Sequence, residues 1–82
     1  MKVTTETGSV YSIEHNLCTK VDKNGLRVDQ FKVWIMKPVP DYVTTWEEIR
    51  ELPEGEPVVG QRLYLSGREG WWISTRIVKV ER

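Results

Sequence analysis

The chain has 82 residues, room for a single domain spanning 1–82 and no more. Twelve Lys and Arg balance twelve Asp and Glu, which argues against a strongly basic nucleic-acid or lipid surface and against an acidic charge mimic. Such a balance also leaves little repulsion to oppose self-association.

The single cysteine, Cys18, cannot form an internal disulfide, and one His with one Cys cannot build a zinc site of the usual kind. That usage fits a reducing compartment. The first residues hold no apolar segment of the secretory type, and no run is long enough to cross a bilayer. The expectation is a cytoplasmic protein with no cofactor and no membrane contact.

In chain order, Lys2–Glu6 and Val10–Glu14 are short β-branched runs separated by Thr7-Gly8-Ser9, which reads as a hairpin. A three-residue loop there pairs Val3 with Ile13 and Thr5 with Tyr11 on one face. Cys18 and Thr19 alternate on a further strand. Asn24-Gly25 then supplies φ > 0 twice for a type I′ turn. Closing on it sets Val21 opposite Val28, Asp22 opposite Arg27 and Lys20 opposite Asp29, two charge pairs on one face.

The following strand runs on through Phe31, Val33 and Ile35, with Trp34 and Met36 on the opposite side. Its apolar face changes between Val28 and Phe31, so a bulge is expected near Asp29-Gln30. Pro38-Val39-Pro40 is expected to end it. Thr44 with Glu47, or Thr45 with Glu48, fits a capping box opening one or two helical turns before Pro53, with Trp46, Ile49 and Leu52 inward. Glu47 and Glu51 repel at i,i+4, so that helix needs packing to hold it. Val58–Leu65 and Trp71–Glu81 read as strands around a Ser66–Gly70 turn.

Strands at hairpin spacing with a single helical turn give a mainly β fold, a small antiparallel β-barrel or rolled sheet of about five to six short strands with one short helix. Parallel pairing would need crossover helices the chain has no room for.

The adjacent tryptophans pose the functional question. On a strand, Trp71 and Trp72 point to opposite faces. Closing the last hairpin on Ser66–Gly70 sets Leu65 opposite Trp71, Tyr64 opposite Trp72 and Leu63 opposite Ile73. Leu63, Leu65, Trp71, Ile73 and Ile77 then share the core face, while Tyr64 and Trp72 stack on the other. Either the helical turn or the Tyr42–Trp46 segment covers that second face, or it is an exposed aromatic patch rimmed by Arg62, Arg68 and Arg76. Trp, Tyr and Arg are the residue types enriched in binding hot spots, and aromatic rings with guanidinium planes also suit unpaired bases.

Catalytic chemistry finds little support. His15 and Cys18 match no nucleophile motif, and His15 reads as a loop residue. Glu47, Glu48, Glu51, Glu54 and Glu56 read as a solvated helix and loop rather than an acid–base pair or metal site. The glycines form no phosphate-cradling pattern. The chain is expected not to be an enzyme.

At TTETGSVYSIE near its start and WWISTRIVKVE at its end, about a third of its length, the chain resembles a family of small proteins encoded by actinobacterial phages. These open on a Thr/Ser-Gly-Ser-x-Tyr hairpin and close on a Ser/Thr-rich, β-branched strand. KNGLRVDQFKVWIMKPVP, in the middle, departs from that pattern. The resemblance implies a bacterial host cytoplasm and an accessory role, binding a host factor or another phage protein. It transfers no catalytic or binding residue. The expected function is a non-catalytic interaction module that engages a protein or a second copy of itself through Tyr64, Trp72, Arg62, Arg68 and Arg76. The alternatives are a single-stranded nucleic-acid-binding small barrel, or a structural component that self-associates.

Overall fold

The computed structural model describes residues 1–82. Seven strands and one helix follow each other as β1 (Lys2–Thr5), β2 (Val10–Glu14), β3 (Leu17–Val21), β4 (Arg27–Val39), α1 (Trp46–Glu51), β5 (Arg62–Gly67), β6 (Gly70–Ile73) and β7 (Ile77–Glu81). They form one antiparallel sheet in the order β6-β5-β4-β3-β2-β1-β7 that does not close. Strand β4 serves two neighbours in turn: its first half pairs with β3 and its second with β5. The sheet therefore rolls about β4.

Turn chemistry sets most of the registers. The first hairpin has a three-residue loop, but it is Glu6-Thr7-Gly8, closed by Thr5 N donating to Ser9 O at 2.9 Å. Val3 thus faces Tyr11 rather than Ile13. That slip of two leaves the faces unchanged, and both residues are buried. Between β2 and β3, His15 and Asn16 both take positive φ, 50° and 65°, giving a two-residue reversal of the kind expected at Asn24-Gly25.

At Asn24-Gly25 only Gly25 is left-handed. The Asp22 carboxylate accepts from Asn24 N at 2.9 Å and Leu26 N at 3.0 Å, and holds a longer loop open instead. Lys20 still faces Asp29, but Val21 faces Arg27, and the extra residue is Val28, exposed and one position before the expected bulge.

Two further bulges distribute the side chains. At Trp34, β4 carries an extra residue against β5, so Phe31, Val33 and Met36 reach one interior although their spacing is not strictly two. At Val78, β7 does the same against β1, so Ile77 and Val80 both face inward. Strand β4 also continues through Pro38 to Val39. Met36, of the same parity as Pro38, accepts from Gly55 N on the side away from β5. The missing Pro38 N–H therefore falls where no ladder needs it.

The main core holds Val3, Tyr11, Cys18, Phe31, Val33, Leu63, Leu65 and Ile77. No buried side-chain N or O lacks a partner, so the interior offers no unsatisfied polar seat. A second, smaller cluster, Val39, Val43 and Ile49, lies on the outer face of β4–β5–β6 beneath α1. Its helix is capped by the reciprocal Thr45–Glu48 box, and Ile49 is its buried residue.

The last hairpin departs from the sequence reading by one residue. Its loop is Arg68-Glu69 alone, with Gly67 facing Gly70. Leu65 accordingly faces Trp72, Ser66 faces Trp71 and Tyr64 faces Ile73. A slip of one exchanges the faces. Trp72 turns inward and stacks on Phe31, rings 3.7 Å apart and 17° from parallel, while Trp71 joins Tyr64 and Ile73 outside. The expected Tyr64–Trp72 stack does not exist.

Gly67 permits this register. A Cβ there would overlap the Lys32 carbonyl oxygen. Past Ile73 the strand breaks: Ser74 Oγ accepts from Leu63 N at 2.9 Å, and the chain crosses to begin β7, where Ile77 N donates to Gln61 O at 2.8 Å. The expected single strand from Trp71 to Glu81 is thus two strands at opposite ends of the sheet.

Trp72→Ala should cost about 3–5 kcal/mol in urea unfolding, and Trp71→Ala less than about 1 kcal/mol; the opposite ranking would refute the observed register. Gly67→Ala should destabilise by about 3 kcal/mol or more, because backbone must move to admit the methyl; an unchanged urea midpoint would show that β4 and β5 are not in close contact there.

Candidate functional site

The outer face of β4–β5–β6 is only partly covered. Ile35 and Lys37 on β4, Tyr64 on β5, Trp71 on β6, and Trp46, Ile49 and Arg50 on α1 line a groove of about 510 Å³. Each wall has a local cause. Alternation past the Trp34 bulge sends Ile35 and Lys37 outward. The β5–β6 register does the same for Tyr64 and Trp71, and helical spacing puts Trp46, Ile49 and Arg50 on one side of α1.

The aromatic rings are set against each other. Trp46 meets Trp71 edge to face, centroids 4.5 Å apart at 72°, and Tyr64 at 6.3 Å and 73°. Such geometry satisfies the ring quadrupoles. Yet Trp46 is 42% exposed and Trp71 56%. Apolar surface of that size, pre-arranged and left in water, suits a binder.

Polar contacts hold the helix in place. Lys37 Nζ donates to the carbonyls of Ile49 at 3.2 Å and Arg50 at 3.0 Å, satisfying the helix's C-terminal acceptors with a cation. At the other end, the Thr45 hydroxyl donates to Glu48 at 2.8 Å and accepts from its backbone N–H. That hydroxyl bond chiefly, opposed by desolvation and aided by the backbone N–H groups of Thr44 and Thr45, holds the Glu48 carboxyl below its usual value.

Of the residues singled out from sequence, Tyr64 lines the groove and Trp72 lies on the opposite face. Arg62 donates to Val43 O at 2.6 Å and Arg76 pairs with Asp41 at 2.8 Å, so both fasten the connector between β4 and α1. Arg68 is exposed in the β5–β6 turn. The face reading is thus corrected, and the groove's cations are Lys37 and Arg50. Arg50 was legible in principle, since it stands four residues after Trp46 and next to Ile49.

A second hollow, about 370 Å³, opens beside exposed Trp34, with Glu54 and Glu56 at its margin. Glu56 is tied to Arg82.

His15 and Cys18 do not form a pair. His15 is exposed in its turn, whereas Cys18 is fully buried between Ile13 and Phe31. Burial, assisted by the nearby Asp29 charge, pushes its thiol from 9.0 up to about 12. Tyr11 is raised as well, by burial first and Cys18 second. A raised acid pKa means that the unfolded chain loses its proton first, so stability falls as pH climbs. Urea stability should therefore decline between pH 9.0 and about 12, and Cys18→Val should flatten much of that slope; an unchanged slope in the variant would show that the thiol is not the group responsible.

No protein-family model, no curated protein and no solved structure matches this chain, so the reading of the groove rests on its own chemistry.

Proposed function

We propose that the chain is a non-catalytic interaction module whose partner-binding surface is the Trp46–Tyr64–Trp71 groove. The observation that carries this reading is the packed yet exposed Trp46–Trp71 pair, set edge to face at 4.5 Å between a capped helix on one side and a sheet on the other. Rigid aromatics lose little conformational freedom on binding and displace much water, which is why they dominate interface energetics. Arg50 on the helix supplies directional donors at the rim. In keeping with the resemblance of its two ends to small phage-encoded proteins, the chain acts as an accessory protein in a bacterial cytoplasm, and its partner is a host or phage protein.

The test is a pull-down from bacterial lysate, with and without nuclease, using wild type, Trp71→Ala and Trp46→Ala. A nuclease-resistant protein band should fall at least tenfold in both variants while their thermal midpoints stay within a few degrees of wild type, tenfold corresponding to about 1.4 kcal/mol of binding. Loss of retained material on nuclease treatment would favour single-stranded nucleic acid, and capture unaffected by Trp71→Ala would remove the groove from the interface.

A further inference from the structure

We propose that the groove takes an extended, acidic segment of a partner protein, which adds to β6 as an eighth strand. This rests on the interaction-module reading above and specifies its occupant.

Strand β6 ends the sheet and its one strand neighbour is β5. In an antiparallel pair, alternate residues send their N–H and C=O to the partner strand and the others send theirs away. Ser74 N donates to Leu63 O, which places the Leu63/Ser74, Leu65/Trp72 and Gly67/Gly70 pairs in the bonded set. Trp71 and Ile73 therefore direct their backbone groups to the open side, and neither takes part in the hydrogen bonds made outside the regular elements.

The two ends of the sheet are treated differently. On β7 a bulge at Val78 and the charged Lys79 and Glu81 blunt the edge. Strand β6 reads Gly-Trp-Trp-Ile, with no charge, no proline and no bulge. Natural sheets protect an edge that is to stay free; apart from its shortness of four residues, this one carries none of the usual protections.

The open edge borders the groove. Trp71 and Ile73, whose backbones face the open side, carry their side chains on the groove face. A strand laid along β6 would hydrogen-bond to them and place every second side chain on the face that carries Trp71. Charge then selects among occupants. The charged side chains lining the groove are Lys37 and Arg50, and neither takes part in an ion pair. Lys37 is committed to the helix carbonyls, which leaves Arg50 to meet an acid. Nucleic acid would leave the strand edge without its matching peptide groups, and the balance of twelve cations with twelve anions gives phosphate no surplus.

The test uses the full chain to select from a displayed library of random decapeptides. Enriched sequences should alternate apolar with other residues and carry acids. The best synthetic peptide should be N-methylated on its odd or its even residues: one pattern should abolish binding and the other leave it within threefold. Ile73→Pro removes an N–H that the internal ladder does not use, and should weaken binding at least tenfold with the thermal midpoint retained. Arg50→Glu should weaken acidic peptides at least tenfold.

Equal sensitivity to both methylation patterns, enrichment of helical, proline-rich or basic sequences, or no enrichment at all overturns strand addition. So does concentration-dependent sedimentation abolished by Ile73→Pro, which would make the occupant a second copy. Should Trp71→Ala still abolish capture of the lysate partner in any of those cases, the interaction module survives and only its occupant changes. The N-methyl series is read on the wild-type chain, so it decides even where a variant folds poorly.

Discussion

Close approach of two backbones at Gly67 governs much of this molecule. With no Cβ at that position, β5 comes against the Lys32 carbonyl where β4 takes up its extra residue, and the pairing between the two strands begins there. From Gly67 the chain needs only Arg68 and Glu69 to reverse into Gly70. Every later partner follows from that tight reversal. Trp72 is delivered onto Phe31 inside the roll, and Trp71 onto Trp46 outside it. One contact thereby supplies both a core stack and a surface ring.

The consequence is a sheet with two apolar faces of unequal finish. The inner face draws on all seven strands, and no buried side-chain N or O lacks a partner. The outer face of β4–β5–β6 has only a six-residue helix for cover. That helix is too short to stand alone. It is held by a capping box, by Lys37 beneath its last turn, and by Ile49 seated among Val39 and Val43. It closes part of the face and leaves the rest as the groove. A domain of this size has little core to spare, so aromatic area left outside carries a cost in stability that a binding role would explain.

Where the sequence carried one dominant local signal, reading and structure coincide. The mainly β class, a capping box at one of two adjacent Thr–Glu pairs, buried Ile49, the shared face of Val3 and Tyr11, and the Lys20–Asp29 pair were all legible. The misreadings have specific causes. Asp22 overrode the Asn24-Gly25 turn by offering its carboxylate to two backbone N–H groups. His15-Asn16 went unnoticed because the pair lacks the glycine that ordinarily marks such a turn, although both residue types tolerate positive φ. The last hairpin was undecidable from pattern alone. Register is ordinarily chosen by asking which alignment buries the apolar side, and with Trp71 beside Trp72 both alignments bury one. Tyr64 was found, but its partners were assigned across the wrong face.

The strand order has a further implication for how the domain comes apart. From β1 to β6 each strand lies beside its neighbour in sequence, and only β7 returns to a distant one, Glu81 meeting Lys2. The chain is a meander fastened by one latch. Loop-closure entropy for that latch spans almost the whole chain, whereas each hairpin closes over a few residues. The β1–β7 seam is therefore the natural place for partial opening, with the meander left standing. Ile77 also ties β7 to Gly60 and Gln61 just ahead of β5, so the chain can open between β1 and β7 while β7 stays fastened beside the tryptophan hairpin.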